Sequence, residues 1–273
     1  HTRLRTVTGV QTCALPISED SGYTNLNTPT EDGDGNIWFT LFGANKISKV
    51  TPGGVFTEYT LPSPSSGPYQ ITNGSDGALW FTEFQNSTKQ VGKITTAGAI
   101  TEYSIPDAGG ITPRALGIAT GSDGALWVTC PNTSQIARVS TAGQVTTYAL
   151  PSSYSPSAIT AGPDGALWFA ENGTLGAVGR ISTDGVVTHY PLPSSVAGTL
   201  TAITNGPDGA LWFIDSLTQG PKIGRITTKG ETTFFDAPGA FSSLVAGPDG
   251  ALWYVGGGLT VGRMTDRKST RLN

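Results

Sequence analysis

Six tryptophans recur almost on a metre: Trp38, Trp80, Trp127, Trp168, Trp212 and Trp253, spaced 42, 47, 41, 44 and 41 residues apart. Each sits in one frame, clearest as Gly-Ser-Asp-Gly-Ala-Leu-Trp-Phe at 74–81 and Gly-Pro-Asp-Gly-Ala-Leu-Trp-Phe at 162–169 and 206–213. Self-similarity at this period means stacked supersecondary units, none of which can bury its apolar face alone.

The unit reads as four short strands. In residues 69–106 they are Tyr69–Asn73, Ala78–Phe84, Val91–Thr95 and Ile100–Ile105, stopped by Pro106. The Asp76-Gly77 turn joins the first two, a strong hairpin signal because Asn, Asp and Gly tolerate positive φ. The pieces recur at 157–193, and no segment carries helical periodicity. Four strands per 40–45 residues predict an all-β fold, a β-propeller. Six repeats are present, the last ending before its fourth strand, and the intact protein is expected to have seven blades. The tryptophans are expected to pack between blades.

Both termini read as foreign. Residues 10–17 back-translate as GTT CAG ACG TGT GCT CTT CCG ATC, and the reverse complement of that string encodes residues 266–273. The string looks like a sequencing-library adapter. Residues 1–18 and 266–273 are therefore read as assembly scars, leaving 19–265 as one propeller domain cut at both ends. Gly9–Pro16 nevertheless resembles the fourth-strand segment Gly143–Pro151, so Val10–Ala14 is expected to pair with Thr260–Met264, whose edge otherwise lacks a partner.

Residues 19–265 hold 11 Lys and Arg against 19 Asp and Glu, a net charge of −8. An acidic chain argues against nucleic acid, which selects basic faces. No apolar run approaches membrane-span length. Cys130 is the one cysteine of this stretch, read as a small buried hydrophobe, and His189 its one histidine. A Ser-, Thr- and Gly-rich surface with few Lys points to export, whereas an antibiotic-resistance enzyme would work in the cytoplasm. A monomer is expected.

The run Gly-Pro-Asp-Gly-Ala-Leu-Trp-Phe, then Gly179-Arg180-Ile181, then Thr188-His189-Tyr190 before Leu192-Pro193 resembles the streptogramin B (virginiamycin B) lyase family over nearly all of 24–265. The resemblance implies a seven-bladed propeller that opens a cyclic depsipeptide antibiotic by elimination across its ester bond. It also implies a magnesium ion, with histidine and glutamate for proton transfer and metal binding. The family's histidines stand as Pro-His-Gly at the entrance to innermost strands. The matching positions here read Pro68-Tyr69, Pro113-Arg114, Pro156-Ser157, Thr199-Leu200 and Ala240-Phe241, with no histidine. No catalytic residue is assigned, so the fragment is expected to be inactive. The alternative is a propeller that binds a ligand, sugar or protein; a lactonase-like metal hydrolase would need more channel carboxylates.

Three acids follow the aromatic pair, Glu83, Glu171 and Asp215, where other repeats carry Leu41, Cys130 and Gly256. They read as solvated strand ends, or else as ligands for a cation or polar molecule. Tyr69 and Arg114, placed at the channel mouth by the family resemblance, are the other ligand-binding candidates. His189 shares its position with Glu58, Glu102, Thr147 and Phe234 and reads as a solvated outer edge. Asp76, Asp123, Asp164, Asp208 and Asp249 are turn residues. The recurring Lys93, Arg138, Arg180, Arg225 and Arg263 suggest blade-to-blade contacts or a solvated face.

Overall fold

A computed structural model describes residues 26–85, 89–173, 176–194, 198–216, 220–236, 241–256, 260–265 and 268–271. They form six four-stranded antiparallel sheets, each a meander in chain order from the innermost strand outward. The first blade holds β1 (Leu26–Glu31), β2 (Ile37–Leu41), β3 (Lys46–Val50) and β4 (Phe56–Thr60). The second holds β5 (Pro68–Asn73), β6 (Leu79–Glu83), β7 (Val91–Ile94) and β8 (Ile100–Tyr103). The third holds β9 (Ile118–Thr120), β10 (Leu126–Cys130), β11 (Gln135–Val139) and β12 (Val145–Ala149). The fourth is β13 (Tyr154–Ala161), β14 (Leu167–Gly173), β15 (Ala177–Ile181) and β16 (Val187–Pro191). The fifth is β17 (Thr199–Asn205), β18 (Leu211–Ser216), β19 (Lys222–Ile226) and β20 (Thr232–Asp236). The sixth is β21 (Phe241–Ala246), β22 (Leu252–Gly256), β23 (Thr260–Thr265) and β24 (Lys268–Arg271). The innermost strands adjoin in order from β1 to β21, and among the described residues no comparable packing joins β21 back to β1.

Every tryptophan stands on the second strand of its blade, and Trp38, Trp80, Trp127 and Trp168 are fully buried. All but Trp253 face the following blade: Trp168 shares a core with Ile203, Leu211 and Phe213 of blade five. In blades two to six the residue after the Trp, Phe81, Val128, Phe169, Phe213 or Tyr254, faces the preceding blade, as Phe169 does with Trp127. The turn aspartate accepts a hydrogen bond from the indole, as Asp164 does from Trp168 Nε1 at 2.9 Å. Its second oxygen takes the recurring cation, Arg180 at 2.7 Å. Burial alone would raise the Asp164 carboxyl, but the hydrogen bonds from Trp168 and Arg180 outweigh it and hold the group below its usual range. The recurring cations are thus neither blade-to-blade bridges nor a bare solvated face. They close a bond to their own blade's turn, and Lys93, Arg180, Arg225 and Arg263 also lie over the Trp ring.

The blades are latched at the inner end by side chains the repeat frame had not singled out. Two residues beyond the Trp, the buried hydroxyls of Thr40, Thr82 and Thr129 donate to the carbonyls of Tyr69, Leu116 and Ser157 on the next blade. In blade four Ala170 stands at that position, and Asn172 takes over: its amide donates to Leu200 O at 3.2 Å and its carbonyl accepts from Leu200 N at 2.7 Å. Thr129 also accepts from Gly117 N at 2.8 Å. Thr129→Val keeps the shape and removes both bonds, so it should cost about 1–3 kcal/mol. Thr40→Val, whose hydroxyl makes one such bond among the described residues, 2.7 Å to Tyr69 O, should cost less. Denaturant titration of the two variants side by side checks the order.

The sixth blade departs from expectation. Its fourth strand is present, formed by Lys268–Arg271 pairing with Gly262–Thr265. The row of unpaired N–H and C=O groups along β23 accepts any extended backbone within reach. The segment that follows two residues later closes the shortest loop to it, at the lowest entropic cost. The edge assigned to Val10–Ala14 is therefore taken, and Val10–Ala14 itself lies outside the described residues. Trp253 is only half-buried, because no described blade follows it.

Candidate functional site

The hairpin turns carrying the aspartates lie at one end of the blades. The starts of the innermost strands and the ends of the second strands lie at the other, here called the entrance. Innermost strands β5, β13, β17 and β21 each slip register at the entrance, between Pro68 and Ile71, Pro156 and Ile159, Leu200 and Ala202, and Phe241 and Ser243. Such bulges re-aim side chains and recur beside active sites.

The five entrance positions are occupied in different ways. Ser157 Oγ donates to the Leu200 carbonyl at 3.2 Å and accepts from the Asn172 amide at 3.1 Å, so it is part of the blade latch. Leu200 is buried. The Phe241 side chain lies outside the described residues. Tyr69 and Arg114, by contrast, are drawn into one file. Tyr69 meets Phe42 edge-on, with centroids 6.2 Å apart, and Phe84 at 5.7 Å; the Arg114 guanidinium lies 5.8 Å from the Phe84 centroid. Phe42 and Phe84 were not singled out from sequence. Both stand four residues beyond a Trp, where other repeats carry Pro131, Asn172 and Ser216, a departure visible once the repeats are aligned.

The three acids are not solvated strand ends. Glu83, Glu171 and Asp215 are all fully buried. They close the ends of second strands, but their side chains share the face of the inter-blade Phe residues and turn into the blade interfaces. Glu171 is enclosed by a cluster. His189 Nδ1 lies 2.9 Å from both its carboxylate oxygens, and the Tyr154 ring stacks on the imidazole at 4.5 Å and 8°. Burial pushes the Glu171 carboxyl up to about 7, against the lowering effect of His189. Reading His189 as a solvated edge is thus corrected: its side chain is 22% exposed and tied inward. The reason lies on the intervening strand. Ala177 stands opposite Glu171, and Gly179 opposite His189. At the Ala177 position blades one, two, three and five carry Lys46, Gln90, Gln135 and Lys222. Small residues there let the imidazole reach across β15, whereas in the longer-chained blades Lys46 pairs with Glu58 and Lys222 with Asp236.

Asp215 has no such partner. Among the described residues neither carboxylate oxygen makes a hydrogen bond of normal geometry. Burial pushes its carboxyl up to about 6, only partly offset by the Gly198 amide. Among the described residues no three His, Cys, Asp or Glu side chains converge on a point that could hold a metal. A magnesium ion keeps several waters and wants oxygen donors around them. Acids sealed between blades, one already engaged by His189, do not fit it. Cys130 is fully buried, and burial pushes its thiol up to about 12, which rules it out as a nucleophile at neutral pH.

Fold and face together define a β-propeller of tandem four-stranded blades whose variable residues gather at the channel entrance. Comparison with known proteins gives its kind. The model of the Virginiamycin B lyase family matches residues 3–199 and 113–271. The chain is 37% identical to virginiamycin B lyase from Staphylococcus aureus, with a TM-score of 0.83 over 91% of this chain and 84% of that one. A catalytically inactive histidine-to-alanine form of that lyase, solved with quinupristin, gives 36% and 0.83 over 93% and 85%. A streptogramin B lyase gives 36% and 0.76 over 87% and 77%. No curated protein sequence matches. The chain belongs to the virginiamycin B lyase family.

Proposed function

We propose that this propeller binds a small polar ligand, such as a cyclic depsipeptide, at the entrance of its channel and does not open it by the family's elimination. One observation carries the reading: Tyr69, Arg114, Ser157, Leu200 and Phe241 stand where the family resemblance calls for histidine. Eliminating across an ester needs a base that takes a carbon-bound proton near neutral pH. Arginine stays protonated, leucine and phenylalanine accept no proton, and serine and tyrosine titrate far above pH 7. The Ser157 hydroxyl is moreover committed to the blade latch. The acidic chain leaves nucleic acid out of the reading, and no helix of the described residues is long and apolar enough to cross a membrane. The chain is read as acting as a monomer.

The Glu171–His189 pair supports a second reading, in which an imidazole oriented by a carboxylate acts as the base. One experiment separates the two. The purified chain is incubated with a streptogramin B compound, with and without magnesium, and the products are weighed by mass spectrometry. Intact antibiotic is the expected result. Ring-opened product that disappears in His189→Ala transfers the base role to His189 and overturns the first reading.

A further inference from the structure

Positions that every repeat shares are explained by the fold; positions that differ between repeats yet contact one another across blades are not. Phe42, Tyr69, Phe84 and Arg114 are of the second kind. They come from three successive blades, and the three rings are each only partly buried. Arg114 ends the file. Its side chain is exposed, but its backbone is held: its N–H donates to Asn132 Oδ1 at 2.7 Å, and Asn132 Nδ2 donates to Thr112 O at 2.9 Å.

Charge pairing sets Arg114 apart. Arg138, Arg180, Arg225 and Arg263 each bond a turn aspartate of their own blade. Among the described residues Arg114 makes no ion pair, although the chain has more acids than bases. A guanidinium resting on a ring face keeps its edge N–H groups directed outward, in a fork that matches a carboxylate with two parallel hydrogen bonds. The adjoining aromatic edges suit a flat or apolar body and repel nothing that an anion carries with it.

We infer that Phe42, Tyr69, Phe84 and Arg114 form a binding site for an anionic ligand with a flat apolar body, its acid group on Arg114 and its ring along the Tyr69–Phe84 file. This deepens the ligand-binding reading above by naming a ligand class, and it does not depend on whether any antibiotic ring is opened.

The test uses the full chain and two probes of one shape, 2-naphthoate and neutral 2-naphthamide, titrated by calorimetry at low salt. The acid should bind about tenfold more tightly than the amide, as a charge-assisted bidentate pair requires. Arg114→Gln, an exposed change whose folding is checked by its melting curve, should bring the two probes to equal affinity. Tyr69→Leu should weaken both probes together and leave their ratio. Equal binding of acid and amide by the parent chain, no binding of either, or a preference that survives Arg114→Gln would overturn the inference. An acid preference seen alongside antibiotic ring opening would overturn only the reading that the ring stays closed.

Discussion

Trp168→Ala should lower the stability of the propeller by about 3–5 kcal/mol, the usual cost of deleting a buried aromatic. Trp253→Ala should cost roughly half that or less. The two residues have the same repeat frame, and each donates to its own blade's turn aspartate and lies under that blade's third-strand arginine. Trp168 also stacks on Tyr190 of its own blade at 5.4 Å. The larger difference is the neighbouring blade. Trp168 is sealed by Leu200, Ile203 and Phe213 of blade five, whereas Trp253 and the exposed Val245, Val255 and Val261 around it face no described blade. A cavity term arises only where surrounding atoms cannot follow the deleted ring. Denaturant melts of both variants decide the matter. Equal losses would show that the Trp acts within its blade and that blade packing is not what its burial secures.

The second large effect is a dependence on pH opposite in sign to ordinary acid denaturation. Burial raises the carboxyl of Asp215 to about 6 from an ordinary 3.8, and that of Glu171 to about 7 from 4.5. Each therefore binds its proton more tightly folded than unfolded. Their contribution is complete below about pH 4 and is lost as pH rises through 6 to 7. The turn aspartates act the other way. Asp76, Asp123, Asp164 and Asp208 are held low, so their contribution is present above the ordinary carboxylate range and disappears on acidification. Asp215→Asn isolates the first effect, since Asp215 has no ion-pair partner among the described residues. Relative to this variant, the parent chain should lose on the order of 1–1.5 kcal/mol between pH 5 and pH 8. Melting curves at pH 5, 6.5 and 8 provide the readout. Parallel pH profiles for parent and variant would mean that Asp215 is solvated in solution and that its burial has been misjudged.

Much of the architecture could be read from the chain. The metre of the tryptophans, the Asp-Gly turns and the Gly-x-Ile third strands pointed to five four-stranded units and the first three strands of a sixth, with boundaries nearly in place. The Asp and Trp of one repeat frame are four residues apart, so their hydrogen bond is local and repeats in blades two to six. The third-strand cation closes the same unit from one hairpin further on.

The site was harder to read because its contacts span 15 to 43 residues and depend on what the intervening strands leave open. Glu171 looked like a strand end because it falls where the second strand leaves the repeat frame, and the groups that enclose it, His189 and Tyr154, belong to other strands. His189 looked like an outer edge because only the gap left by Ala177 and Gly179 lets the imidazole reach inward. The pairing of β24 with β23 was likewise out of reach of residue patterns, since a bare strand edge selects its partner by reach and backbone geometry and not by side-chain identity. The sequence alone determined the repeat, its strands and the absence of histidine from the entrance, because these follow from local spacing and residue type. Only the tertiary structure decided which acids are buried, which of the described arginines is left without a carboxylate and which rings form a file, because each depends on side chains that adjacent blades bring together.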